Sequence, residues 1–259
     1  MMNDVKIIFF DIDGTMIDMQ KKIISEKMLD TLKHLQANGI KICMATGRGP
    51  VTLPHFEGIE FDAYLTFNGS YCYCGKDTIF SNPIPKEDVR RIIENAAAIG
   101  RPVSLATKNR LAANGKDQDL IEYYGVIKLG VDTPEDFDEV ADGEVYQIMS
   151  GGRKEEYDAL LKDVSGARIT AWWHRAVDII PSAGGKGVGV QKILEYFGFA
   201  REQAMAFGDG NNDIEMIETV GHGVAMENAS KELKAAADDV CGHVANDGIY
   251  HYCLANGLI

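Results

Sequence analysis

The sequence predicts an α/β fold: a Rossmann-like parallel-sheet core with helices on both faces, interrupted by an inserted α/β segment. Three observations carry that expectation. First, two short apolar runs, V-K-I-I-F-F ending at Phe10 and A-M-A-F ending at Phe207, lie far apart in the 259-residue chain, and each leads into an acid- and glycine-rich turn. Runs of that length bounded by such turns read as buried parallel strands. Second, strand and helix patterns alternate through residues 1–81 and resume at 184–259. Third, the rhythm changes between Pro83 and Ala183, where no strand candidate ends in an acid-rich glycine turn. Residues 82–183 are therefore expected to form a separate α/β unit inserted into the core.

After the first strand and its turn, Ser25 can cap a helix reaching Asn38, with Met28, Leu29, Leu32 and Leu35 on one apolar face. Ile24 and Leu29 stand at staple positions, and Gly39 is placed to stop the helix. The second strand, I-K-I-C-M-A, delivers Thr46, and the third, D-A-Y-L-T-F, delivers Asn68 and Gly69. Within the insertion, helix patterns at 86–99, 117–124, 134–141 and 153–163 alternate with strand patterns near 102–107, 126–131, 144–150, 167–173 and 176–180. Pro83, Pro85, Pro181, Gly184 and Gly185 mark its hinges. The core resumes with a helix over 187–197, turning Val190, Ile193, Leu194 and Phe197 inward, before Gly198 stops it. The A-M-A-F strand, an acidic helix start at 212–219 and two short strands near 222–226 and 238–241 complete the pattern.

The composition is ordinary for a soluble enzyme, 46% hydrophobic and 25% charged. A net charge of −13 argues against a nucleic-acid or anionic-membrane binder, either of which wants a basic face. Five cysteines (Cys43, Cys72, Cys74, Cys241, Cys253) form no C-x-x-C pair and suit a reducing cytosol. Cys43 and Cys241 are expected inside apolar strands. No run is long enough to span a bilayer, and none reads as a signal peptide. A cytoplasmic enzyme is expected; a monomer is compatible with the residues, which specify no oligomeric state.

Asp11 and Asp13 in D-I-D-G-T, with Asp209 and Asp213 in G-D-G-N-N-D, place four carboxylates at two strand ends. Ligands of open parallel sheets bind beyond those ends, so the two clusters should converge. Crowded carboxylates repel one another, and a hard divalent cation with oxygen ligands relieves the repulsion; Mg²⁺ is the expected cofactor. Asp11 is placed to act as a nucleophile, and Asp13 to protonate a leaving alcohol and then deprotonate water. Thr46 and Gly47 offer a hydroxyl and backbone N–H groups to a phosphoryl group. Arg48 either reaches substrate or pairs with a surface acid. Lys186 in G-G-K-G is no P-loop lysine, because Gly187 stands where Ser or Thr is required. Asp209, Asn211 and Asp213 do not begin an EF-hand loop, because Ile214 and Val220 occupy its sixth and twelfth positions.

The motifs D-I-D-G-T-M-I, A-T-G-R at 45–48, Lys186 and G-D-G-N-N-D at 208–213 resemble, in that order, those of the haloacid dehalogenase superfamily of phosphotransferases. The position of the insertion, F-N-G at 67–69 and V-A-M-E-N-A at 224–229 resemble its Cof-type sugar-phosphatase branch. The resemblance implies an aspartyl phosphate on Asp11 and Mg²⁺ held by Asp11, Asp209 and the backbone carbonyl of Asp13. Asp213 would support the metal site from behind. It also implies phosphate or substrate contacts from Ile12, Lys186 and Asn212, and a cap at 82–183 that reads the leaving group.

The expected function is hydrolysis of small phosphorylated metabolites, foremost sugar phosphates. A phosphomutase using the same intermediate, a phosphonate hydrolase with a cap amine, and a catalytically idle small-molecule-binding module on the same fold remain open. Trp172, Trp173, His174 and Arg175 could stack on a sugar or simply pack a cap strand.

Overall fold

The computed structural model describes residues 4–126 and 129–259, apart from the side chains of Trp172 and Trp173. It resolves into two compact units, one comprising Met1–Gly47, Pro54–Phe80 and Lys186–Ile259, the other Arg48–Leu53 and Ser81–Gly185. The short segment Arg48–Leu53 thus groups with the inserted residues.

Among the described residues, the first unit is built on an eight-stranded sheet. Its order is Asp239–Val240, His222–Ala225, Ala204–Gly208, Ile7–Phe10, Lys41–Ala45, Ala63–Thr66, Tyr71–Cys74 and Asp77–Ser81. The first six run parallel. Tyr71–Cys74 reverses and pairs antiparallel with Ala63–Thr66, which departs from an all-parallel core. The short Phe67–Ser70 connection explains it, since a parallel return needs a crossover of a dozen or more residues. The central strands are buried along their whole length, as a sheet covered on both faces requires. Phe10 and Phe207, opposite each other in register, stack with ring centroids 5.4 Å apart.

Helices flank this sheet. Glu26–Ala37 starts where Ser25 accepts the Met28 N–H at 3.1 Å. It ends as Ile40 and Gly39 donate to the Leu35 and Gln36 carbonyls, with Gly39 at φ +77°. Met28, Leu32 and Leu35 are buried with Thr31, while Leu29 is half-buried. Lys186–Phe197 carries two interior glycines for reasons of space. A Cβ on Gly189 would come 2.6 Å from Leu65, and one on Gly187 would come 2.9 Å from the Glu215 carbonyl oxygen.

Some elements differ from the sequence reading. The segment expected to be helical over 212–219 opens as a 3₁₀ turn, Asn211–Asp213, before the helix Ile214–Thr219. Helices Lys231–Ala236 and Gly248–Ala255, and a small hairpin of Ile17–Asp18 with Ile23–Ile24, add to the elements expected from the sequence. Ser230 caps the first of those helices, and Ile249, Tyr252 and Cys253 give the second its buried face. Cys241 is buried just past the Asp239–Val240 strand, not inside it.

The second unit carries a five-stranded antiparallel sheet ordered Ala167–Trp173, Ala176–Pro181, Gln147–Gly151, Val103–Ala106 and Leu111–Ala113. Helices Lys86–Ala98, Gln118–Val126, Phe137–Ala141 and Tyr157–Leu160 accompany it. Its core joins Val89 and Ile92 of the first of these helices to Val103, Leu105, Ile148, Val177 and Ile179 of the sheet. The strand expected near 126–131 is absent at 129–131, and residues 127–128 lie outside the described residues. Leu111–Ala113, three residues without alternation, takes the edge position instead. The helix expected over 153–163 is reduced to Tyr157–Leu160 after a 3₁₀ turn. There Glu156 accepts the Arg153 N–H at 2.7 Å and a forked pair of bonds from Arg101.

Candidate active site

The two central strands bring the acids together by register alone. Ile7–Phe10 pairs with Ala204–Gly208 so that Phe10 faces Phe207, and the Asp11 N–H extends the ladder to the Phe207 carbonyl at 3.0 Å. Asp11 therefore leaves its strand one residue after Phe10, and Asp209 leaves the neighbouring strand two residues after Phe207. Carboxylate oxygens of Asp11, Asp209 and Asp213 lie within 4.8 Å of one another.

Lys186 enters this cluster from the start of its helix and is fully buried. Its Nζ donates to Asp11 Oδ1 at 2.7 Å, to Asp213 Oδ1 at 2.5 Å and to the Ala45 carbonyl at 3.0 Å. The other oxygen of Asp213 accepts the backbone N–H groups of Asp209 and Gly210, each at 3.0 Å. Asp213 thus pins the lysine and the Asp209–Gly210 turn at once. Burial acts to lower the Lys186 pKa, but the two carboxylates outweigh it and raise the value overall. Burial also pushes Asp11 up to about 7 against the pull of Lys186, with Asp213 and Asp13 adding to the rise. Asp209 is pushed up to about 8, by burial first and then by the charges of Asp11 and Asp213.

Three carboxylates and one ammonium leave two formal negative charges in this buried cluster when all are ionised. An all-oxygen donor set with that excess fits a hard divalent cation. The turn around Asp209 is built to keep its carboxylate in place. Thr15 Oγ1 donates to Asp209 Oδ1 at 3.1 Å. Gly14, at φ +92°, leaves room that a Cβ would take from Asp209, coming 2.2 Å from its Oδ2. Asn228 Nδ2 donates to the Gly14 carbonyl at 2.7 Å and secures the turn from a third segment. Asn228 lies in the V-A-M-E-N-A stretch, where nothing local in the sequence marks this contact.

The remaining sequence candidates divide. Ile12 is fully buried, and its carbonyl accepts the N–H groups of Met16 and Ile17, shaping the turn that carries half-buried Asp13. Thr46 is buried at the end of Lys41–Ala45, with its N–H on the Leu65 carbonyl at 2.8 Å. Gly47 follows it and packs beneath the Asn68 amide. Asn212 donates from Nδ2 to Asn68 Oδ1 at 3.1 Å. Arg48 belongs to the second unit, where its guanidinium donates to the Thr52 carbonyl at 3.2 Å. In that unit Arg175 pairs with Asp119 and Glu122, which ties it into a network of acids and arginines. The side chains of Trp172 and Trp173 lie outside the described residues.

A family model for haloacid dehalogenase-like hydrolases matches residues 8–253, nearly the whole chain. The chain belongs to the haloacid dehalogenase-like hydrolase family. Among its relatives is YkrA of Bacillus subtilis, which is named as a putative phosphatase and is 34% identical over 99% of both chains. Another is the B. subtilis 5-amino-6-(5-phospho-D-ribitylamino)uracil phosphatase YitU, 29% identical over 95% of each chain. The solved subclass IIB sugar phosphatase BT4131 superposes with a TM-score of 0.89 at 30% identity, covering 98% of this chain and all of that one. This member of the family is an enzyme of the phosphatase type. Among the described residues, no helix is long and apolar enough to cross a membrane.

The raised values have a measurable consequence. Folded-state values of about 7 for Asp11 and about 8 for Asp209 lie above the ordinary carboxylate value of 3.8, so the folded protein keeps protons that the unfolded chain gives up. The stability this contributes is complete below about pH 4 and is lost as pH rises through about 7 to 8. The urea midpoint of metal-free protein is expected to fall between about pH 5 and pH 8. Asp209→Asn, which carries no charge at any pH, should flatten that fall. A midpoint for wild type that climbs across the window relative to Asp209→Asn contradicts the assignment.

Proposed function

We propose that this chain is a Mg²⁺-dependent phosphatase that hydrolyses small phosphorylated metabolites, sugar phosphates foremost, through an aspartyl phosphate on Asp11. The observation that carries the reading is the buried Asp11 carboxylate at a strand end, with Lys186 bonded to its Oδ1 and Asp209 beside it. Lys186 orients Asp11, and Oδ2 is the atom that attacks phosphorus. Asp13 gives its proton to the departing alkoxide and takes one from the water that then attacks the aspartyl phosphate. Inorganic phosphate leaves and Asp11 is restored. Thr46, the Gly47 N–H, Ile12 and Asn212 receive the phosphoryl oxygens, where fixed donors count most in a dry site; Lys186, its three N–H groups engaged, adds its positive charge between Asp11 and the phosphate. Asp11, Asp209 and the Asp13 carbonyl would hold Mg²⁺, which supplies positive charge against the phosphoryl oxygens. Asp213, with both oxygens already engaged, supports from behind.

The sugar-phosphate choice is supported by BT4131 being a sugar phosphatase and by the phosphorylated ribityl chain in the name of the YitU substrate. Five free cysteines suit a reducing cytosol.

Asp11→Asn should lower turnover of glucose 6-phosphate by on the order of 10⁴-fold or more while leaving the fold intact. Product analysis of the wild type should find inorganic phosphate. A positional isomer of the sugar phosphate would make the enzyme a mutase, and substantial Mg²⁺-dependent hydrolysis by Asp11→Asn would refute the nucleophile.

The other two acids should fail differently. Asp209→Ala should raise the Mg²⁺ concentration needed for half-maximal activity, with little loss of fold. Asp213→Ala strips a buried ammonium of one partner and should cost about 3 kcal/mol of stability. Metal titrations and denaturant melts of both variants read the contrast, and a reversed ranking contradicts the ligand assignment.

The second unit is proposed to choose the substrate without performing the chemistry. Every residue given a role above lies in the first unit, while Arg48 groups with the second. Discrimination comes from differential transition-state binding, so His174→Ala should reorder preference among sugar phosphates. Cleavage of a small aryl phosphate should stay within about tenfold of wild type, a barrier change near 1.4 kcal/mol. Collapse of aryl phosphatase activity in folded His174→Ala would count against this division.

A further inference from the structure

The backbone at F-N-G is under a constraint that a connecting turn does not need. Phe67, Asn68 and Gly69 follow one another at φ 50°, 51° and 90°, three left-handed residues of which only the last is glycine. Phe67 and Asn68 are also among the buried residues of the first unit. Asparagine tolerates this region better than most residues, yet glycine adopts it at no steric cost. If position 68 served the turn alone, glycine would serve it better. What asparagine adds is its side chain.

That side chain is engaged across the fold. Asn68 Oδ1 accepts the Asn212 Nδ2–H at 3.1 Å, joining segments 144 residues apart. The same amide lies against Gly47, where a Cβ would come 3.0 Å from Asn68 Nδ2 and 3.3 Å from Oδ1. Gly47 is not in the left-handed region, and a side chain there would have to push the Asn68 amide aside by a few tenths of an ångström. The Asn68 backbone N–H donates to the Thr46 carbonyl at 3.0 Å, tying the same residue to the strand end beside Gly47. One buried residue therefore touches both the Thr46–Gly47 turn and the turn that carries Asn212.

We infer that Asn68 is a positioning residue for phosphoryl transfer, bracing Asn212 and the Thr46–Gly47 backbone as receivers of the phosphoryl oxygens. The inference rests on the proposed reading of Asn212 and Gly47 as phosphoryl contacts. By accepting one N–H of the Asn212 amide, Asn68 fixes which end of that amide faces inward and where its second N–H points. By filling the space over Gly47, it holds the backbone there against rotation. Small misplacements of such groups are costly, since errors near 1 Å can lose on the order of 10²-fold in rate.

Asn68→Gly tests the inference, because it relieves the left-handed backbone while deleting the brace. Its melting temperature should match or exceed that of the wild type. Its kcat/KM for glucose 6-phosphate should fall by roughly 10- to 100-fold, and its inhibition constant for inorganic phosphate should rise in parallel. Asn212→Ala should show the same pair of losses, and the Asn68→Gly, Asn212→Ala double variant should be little worse than Asn212→Ala alone, as expected of residues acting through one contact. An unchanged phosphate inhibition constant in Asn68→Gly, or losses that multiply in the double variant, would overturn the brace. Failure of the wider reading looks different: Asn212→Ala would then leave phosphate inhibition at the wild-type level.

Discussion

A single buried ammonium holds this site together. Lys186 has no exposed side-chain surface, and its three bonds run to Asp11, to Asp213 and to the Ala45 carbonyl. A lysine so placed is tolerable only because each donor meets an oxygen and two of those oxygens are charged. The dependence also runs the other way. Without Lys186, Asp11 and Asp213 would face each other and Asp209 with only neutral donors, the Asp209 and Gly210 N–H groups and the Thr15 hydroxyl, to offset their repulsion. The lysine ties together the first strand, the end of the second strand and the turn after the Ala204–Gly208 strand. Mutual placement of Asp11, Asp209, Asp213 and the end of the Lys41–Ala45 strand follows from that knot and from the register of two parallel strands.

Much of this was legible in the sequence because parallel sheets leave a strong signature. An apolar run that stops abruptly at Asp11 or Asp209 marks both a buried strand and the point where it leaves the sheet, so a one-dimensional pattern carries three-dimensional information. Ser25 and Gly39 announced the ends of their helix for equally local reasons. The less legible residues act over long separations. Asn228 secures Gly14 and Asn68 meets Asn212 through side-chain amides more than 140 residues apart in sequence, and an asparagine in a turn looks the same whether or not it has such a partner. Leu111–Ala113 is a strand only because Val103–Ala106 offers it an edge, and the F-N-G turn reverses the next strand in a way that composition does not show.

Acidity is organised differently in the two units. In the first, carboxylates are concentrated where burial makes their charge expensive, and the expense is offset by one lysine and by backbone N–H groups. In the second, Asp119 is drawn below the usual carboxylate range by Arg153, whose hydrogen bond outweighs burial, with Arg101 and Arg175 adding to the effect. The overall charge of −13 therefore says little about either environment.

The glycines of the Lys186–Phe197 helix carry a consequence for assembly. Interior glycine lowers helix propensity by up to about 1 kcal/mol each relative to alanine, so Gly187 and Gly189 weaken the first turns of the segment that presents Lys186. They gain close approach to Leu65 and to the Glu215 backbone, contacts that exist only once the sheet and the next helix are in place. The segment thus leans on tertiary packing to hold as a helix, and the Lys186 ammonium has its three partners only where the segments carrying Asp11, Ala45 and Asp213 are assembled around it. A half-folded chain would carry the acids without their counter-charge, so competence for chemistry and completion of the core arrive together.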